Sequence, residues 1–321
     1  MKGSYRVIVE NSKVKYDFQV NRNITIIRGD SATGKTLLVD MIDSYFNNRS
    51  STSISIRCDK VCRTVGGADW KLIIENTEDS IVFIDEENDF IRTKEFAEVI
   101  KDTDNYYVLV TRSDLPAIPY SVDEIYGMRE SGKYRGLKKT YNEMYRIYSD
   151  ISSDEKIKPD AIITEDSNSG YEFFKEALPC RCISANGKSN IANLLFDIGS
   201  ESTLVIADGA AFGPEMSYLM RKIRYKKNIH VFLPESFEWL ILSSGVIRDA
   251  QVDRIMESPS IYIESEKYFS WERFFTQLLI EKTEDTPYAY VKRRLNPVYL
   301  QDDIKDRILE TVRCLKDSGD K

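Results

Sequence analysis

Eight consecutive residues carry the strongest chemical signal in the chain: Gly29-Asp30-Ser31-Ala32-Thr33-Gly34-Lys35-Thr36. They match GxxxxGK[ST] at every required position, a spacing that lets backbone N–H groups wrap around phosphate oxygens at a helix N-terminus. In such a loop Lys35 reaches the β- and γ-phosphates and the Thr36 hydroxyl ligates Mg²⁺. Further on, Ser80-Ile81-Val82-Phe83-Ile84-Asp85-Glu86 is an apolar run ending in two carboxylates. Downstream of a phosphate loop, that pattern assigns Asp85 to Mg²⁺, usually through water, and Glu86 to polarising an attacking water. The next apolar run, YYVLVTR (106–112), ends in Thr111 and Arg112, which read equally as a γ-phosphate sensor and as an ordinary turn.

The second half places acids at the ends of successive apolar runs. DAIITE is followed by Asp166, so Glu165-Asp166 close the first run; TLVIAD ends in Asp208; IHVFLP is followed by Glu235 and Glu238. Parallel strands would bring these ends to one edge, where converging carboxylates suit Mg²⁺ or Mn²⁺ and phosphoryl chemistry. Each acid taken singly reads as well as a cap for the helix that follows it.

The elements that must position these residues follow from periodicity. Before residue 150 the expectation is strands near 4–10, 14–20 and 23–28, a helix at 35–46, a strand near 54–58, a short helix at 68–75, strands at 80–85 and 106–111, and a basic helix near 134–148. The polar stretch SDISSDEKIKP (149–159) is the expected boundary. Beyond it, strands at 160–165, 181–185, 203–208 and 229–234 alternate with helices at 170–178, 188–198, 214–226 and 236–243, the pattern of a parallel α/β sheet. SWERFFTQLLIEK and DDIKDRILETVRCL carry helical spacing in the remainder. The predicted organisation is therefore α/β throughout. It consists of a phosphate-loop domain with a parallel sheet at 1–150, a second parallel α/β domain at 158–248, and a helical C-terminal extension at 249–321.

Composition narrows the function classes. A net charge of −7 argues against a protein built to coat nucleic acid. Basic clusters at 133–139 (KYRGLKK), 221–227 (RKIRYKK) and 292–294 (KRR) read first as solvated surface, with a positive groove as the alternative. Five cysteines and a single histidine, His230, leave no zinc framework, and an odd count argues against disulfides. No apolar run approaches the roughly 18–20 residues that span a bilayer, and no signal-peptide core precedes the first strands, so the expected location is cytoplasmic. The sequence holds no LSGGQ-like signature and no NKxD-like guanine reader, so ATP is preferred over GTP. No acceptor-binding lid of a small-molecule kinase stands out.

The blocks TEDSNSGYEFFKEAL, ISANGKSNIANLL, VIADGAAFGPE and LPESFEWLIL, over about 160–245, resemble a Toprim domain, most closely that of the overcoming-lysogenization-defect (OLD) nucleases and related ATPase–Toprim proteins. The resemblance implies that Glu165 is the first acid, Gly187-Lys188 the glycine turn, Asp208 the first Asp of DxD and Glu238 the acid after the fourth strand, with Mg²⁺ or Mn²⁺ between them. One departure stands out: Ala210 occupies the second acid position of DxD, which removes a ligand that two-metal cleavage requires. The N-terminal half also resembles compact ATP-binding proteins of bacterial mobile elements. Together these imply an ATPase acting with a Toprim-like domain on DNA or RNA, in phage defence or element maintenance. The alternative is a nucleotide-switched scaffold that binds a partner protein, with self-association into a homo-oligomer open in both cases.

Overall fold

A computed structural model describes residues 1–29, 34–48, 52–132, 138–149, 151 and 156–316. Asp30, Ser31, Ala32 and Thr33, the middle of the expected phosphate loop, lie outside the described residues. The chain divides into two compact units, Met1–Tyr148 with Pro259–Phe269, and Ser149–Ser258 with Ser270–Lys321. The stretch 249–321, expected as a separate extension, is thus shared: 259–269 joins the first unit and the rest joins the second.

The first unit carries strands β1 (Tyr5–Glu10), β2 (Val14–Val20), β3 (Ile24–Ile27), β4 (Ser55–Arg57), β5 (Val61–Thr64), β6 (Ser80–Ile84), β7 (Tyr106–Val110), β8 (Ile125–Glu130) and β9 (Thr140–Arg146). Its helices are α1 (Lys35–Asn47), α2 (Trp70–Glu75) and α3 (Lys94–Lys101). The strands form one nine-stranded sheet in the order β4-β1-β2-β9-β8-β3-β7-β6-β5. Every residue of β3, β6 and β7 is buried, as expected of parallel strands covered on both faces. β1 and β2 instead alternate inward and outward residues, and Asn11 fixes their turn by accepting from the Lys13 and Val14 N–H groups at 2.8 and 2.9 Å. Leu38 and Ile42 of α1 pack into a core with Val7, Val9 and Phe18, which ties α1 to the sheet.

Two expectations are corrected here. The sheet is mixed, because β1–β2, β1–β4 and β8–β9 pair antiparallel. The basic helix expected near 134–148 is strand β9, which pairs antiparallel with β8 and parallel with β2; 133–137 lie outside the described residues. Cross-strand pairing decides the matter for TYNEMYR, whose threonine and tyrosines suit a strand. Strands β5 and β8 and helix α3 were not predicted.

The second unit holds a four-stranded parallel sheet in the order β11-β10-β12-β13, from β10 (Ala161–Thr164), β11 (Arg181–Ser184), β12 (Thr203–Ile206) and β13 (Ile229–Phe232). Helices α4 (Ser169–Ala177), α5 (Lys188–Leu194), α6 (Met216–Ile223) and α7 (Phe237–Ser243) follow the strands in turn. This is the alternation the sequence predicted. Helices α8 (Ala250–Glu257), α9 (Trp271–Thr283) and α10 (Asp302–Glu310) complete the chain. Among the described residues no helix is long and apolar enough to cross a membrane.

Candidate functional site

In the first unit β3 is flanked by β7, and β7 by β6, all parallel. Their C-terminal ends therefore share one edge: Gly29 and Lys35 follow β3, Thr111 and Arg112 follow β7, and Asp85 and Glu86 follow β6. Gly34 caps α1 in the left-handed region at φ 85°, which a side chain resists. A Cβ there would also lie 2.8 Å from the Tyr16 hydroxyl, which itself donates to the Gly34 carbonyl at 2.7 Å. Burial pushes the Tyr16 phenol up to about 12, so it remains a donor. The buried Lys35 folds back and donates to the Gly29 carbonyl at 2.8 Å, while Thr36 is exposed in the first turn of α1.

Asp85 is buried, and its carboxylate accepts from the Glu86 N–H at 2.6 Å. Partial burial, and then the Asp85 and Asp43 charges, raise the Asp40 carboxyl on α1. Glu86 is held by Arg112 at 2.8 Å, with Arg112 57% exposed. Thr111 is fully buried and its hydroxyl bonds the Ser113 carbonyl at 3.0 Å, so it ties down the turn. One alcohol, one carboxylate and one ammonium fit a Mg²⁺–phosphate group, in which phosphate oxygens and waters complete the metal's shell.

The second unit gathers Glu165, Asp208 and Glu238 at the C-terminal edge of its sheet, around a cavity of about 40 Å³. The Asp208 N–H donates to the Glu165 carboxylate at 3.3 Å. Burial, and then the Glu272 charge, push the Glu165 carboxyl up to about 7, against the Asp208 N–H and Lys188. Asp208 is raised well above the usual carboxylate range by burial and by Glu272, Glu165 and Glu238. Glu238, 2% exposed, accepts from the Tyr290 hydroxyl at 2.8 Å, and Tyr290 meets Ser169 at 2.6 Å. Lys188 donates to the Ala211 carbonyl at 2.8 Å. Asp166 also lines this cavity, and it accepts from the Asn168 N–H at 3.0 Å, a short-range bond that shapes the turn into α4.

Sequence reasoning missed three members of this cluster, Glu272, Tyr290 and Lys292. Lys292 lines the cavity and bonds Glu272 at 2.5 Å. Burial lowers its pKa, but Glu272, Glu238 and Asp208 more than offset that and hold the ammonium above the ordinary lysine value. Its only trace in the sequence was the basic run 292–294.

A pair of divalent ions does not fit these residues. Ala210 is buried, its N–H bonded to the Glu235 carbonyl at 3.3 Å, and the neighbouring Gly209 leaves a Cβ only 2.5 Å from the Leu233 carbonyl. The loop is therefore clamped against 233–235, with no acid at its second position. The Lys292 ammonium already offsets part of the carboxylate charge. Among the described residues no three His, Cys, Asp or Glu side chains are arranged to hold a metal ion. No protein-family model matches this chain, and no curated protein matches it.

Proposed function

We propose that this chain binds and hydrolyses ATP with Mg²⁺ in its first unit, and that the nucleotide state controls a Toprim-like second unit acting on nucleic acid. The observation that carries the first part is the parallel order β3-β7-β6, which sets Gly29, Lys35, Thr36, Arg112 and Asp85–Glu86 along one edge. Lys35 offsets the charge of the β- and γ-phosphates, and Thr36 with Asp85 holds Mg²⁺, which supplies further charge neutralisation. Glu86 orients and deprotonates water once its pairing with Arg112 is released. The second part rests on the four-stranded parallel sheet and the acids at its strand ends, in the order the Toprim resemblance implies. The same resemblance extends the proposal to phage defence or mobile-element maintenance.

A second reading is favoured by Lys292 and Ala210: a nucleotide-switched scaffold whose Toprim-like unit performs no cleavage. Phosphate release from ATP, with and without DNA or RNA, tests the first reading, with Lys35→Ala expected to abolish release. Cleavage of either polymer with Mg²⁺ or Mn²⁺, lost in Glu165→Gln and Asp208→Asn, supports the nuclease half. Absence of cleavage, with ATP-dependent capture of a partner protein that Lys35→Ala eliminates, supports the scaffold.

A further inference from the structure

The run RKIRYKK admitted two readings, and the second unit supplies what separates them. On α6, Tyr218, Arg221 and Lys222 are spaced i, i+3 and i+4, so they share one helix face. Lys222 Nζ lies 3.7 Å from the centroid of the Phe196 ring and 4.9 Å from that of Tyr218. Arg221 lies 5.9 Å from the Tyr218 ring, and just past the helix Arg224 lies 5.5 Å from that of Tyr225. Phe196 is 63% exposed and Tyr225 85% exposed.

Cations at a helix C-terminus complement its dipole and need no further explanation. Two exposed rings, Phe196 beside Lys222 and Tyr225 beside Arg224, are the less usual feature, because each leaves apolar surface in water next to a cation. The placement of Phe196 is also built. Lys226 turns inward and donates to the Leu195 carbonyl, and to that of Ile198 at 3.1 Å, which fastens the turn that carries Phe196. Of the nearby acids, Glu201 is paired with Arg181 at 2.7 Å, while Asp197 stays exposed. Arg221, Lys222, Arg224 and Lys227 therefore outweigh the acids locally, on a chain whose net charge is −7.

We infer that the α6 face, with Phe196 and Tyr225, is a docking surface for single-stranded nucleic acid. Cations there meet phosphates, and the two rings offer π-faces to unpaired bases, a pairing that tolerates any sequence. A duplex keeps its bases stacked internally and offers only the charge. The inference shares with the functional reading the class of polymer alone, and it stands whether or not the acidic cavity cleaves.

The test is fluorescence anisotropy of labelled single-stranded DNA and RNA 20-mers, and of the matching duplex, with the full chain in EDTA and without ATP. These conditions silence metal-dependent chemistry, so failure of binding and failure of catalysis are read separately. Expected is tighter binding of single strand than of duplex, with Phe196→Ala and Tyr225→Ala each weakening it at least about fivefold. Lys222→Glu with Arg221→Glu should weaken it further and flatten its salt dependence. Arg254→Glu, one charge reversal on exposed α8, should leave it unchanged. Unfolding curves matching the wild type show that each variant is folded. Absence of single-strand binding, equal binding of duplex, or insensitivity to both aromatic substitutions overturns the inference. A preference between the DNA and RNA arms identifies the sugar.

Discussion

Replacing Lys292 by methionine keeps a flexible apolar stem and removes one charge, so it asks what that ammonium does among Glu272, Glu238 and Asp208. Removing one partner of a fully buried ion pair costs about 3–5 kcal/mol, because the other charge is left uncompensated. The Lys292 side chain is 35% exposed and Glu272 24%, so water screens part of the loss, and about 2 kcal/mol is expected at pH 8. The cost depends on pH with a definite sign. Glu165 titrates near 7 in the folded chain against 4.5 for an ordinary glutamate, so folding favours its protonated form. That contribution is complete below pH 4.5 and is lost as pH rises through 7. Lys292 is the charge that draws the Asp208 carboxyl back down, so without it Asp208 holds its proton still more tightly, and the variant's deficit should be smaller at pH 5 than at pH 8. Trp239 and Trp271 both lie in the second unit, and a Trp70→Phe background makes them the only fluorescent tryptophans during urea unfolding. Lys292→Met/Glu272→Gln should recover most of the loss at pH 8. An equal deficit at pH 5 and pH 8, with no recovery in the double variant, would refute the charge argument and leave stem packing as the cause.

Arg112→Ala releases Glu86 from its ion pair and is expected to raise kcat for ATP hydrolysis about two- to fivefold at unchanged KM; a fall in kcat with a raised KM would make Arg112 a phosphate ligand instead. Gly34→Ala forces a side chain into φ 85° and against the Tyr16 hydroxyl, and should cost about 1–2 kcal/mol in denaturant unfolding, more than Tyr16→Phe, which loses one hydrogen bond worth about 1 kcal/mol. Cys58 should be the preferred target of iodoacetamide. Hydrogen bonding from Cys62 lowers its thiol to about 7, whereas burial pushes Cys182 up to about 12. Its alkylation rate, read by peptide mass spectrometry, should rise through pH 7, and Cys62→Ala should move that inflection upward.

How far each feature was legible depends on how local its cause is. The Gly29–Thr36 loop, α1 and the Asp85–Glu86 strand end are written in contiguous residues, since glycine spacing, an apolar run and a carboxylate pair need no distant partner. The alternation of β10 to β13 with four helices is likewise local periodicity. Strand β9 was misread because its state depends on β8 and β2: TYNEMYR follows a lysine-rich run, and only the sheet tells it apart from a basic helix. Glu272, Tyr290 and Lys292 were missed for the same reason at greater range. They belong to the C-terminal part of the second unit, and no spacing rule connects them to Glu165 or Asp208.

The two candidate sites share a geometry and differ in where their positive charge originates. In each, parallel strands deliver acids to one edge of a sheet. In the first, the ammonium is Lys35, one residue beyond Gly34, and it donates to the Gly29 carbonyl. In the second, Lys292 is bound to Glu272 and lies within the field of Glu238 and Asp208, so part of the cluster's charge is offset before anything enters. A divalent ion arriving there must displace that ammonium or share the carboxylates with it, and either step forfeits interactions that already stabilise the fold. A ligand at the first site would meet an ammonium supplied from the start of α1, whereas one at the second would meet an ammonium already bound to Glu272. Metal dependence of phosphate release and metal dependence of any cleavage must accordingly be measured separately, because Lys292 acts on the second alone.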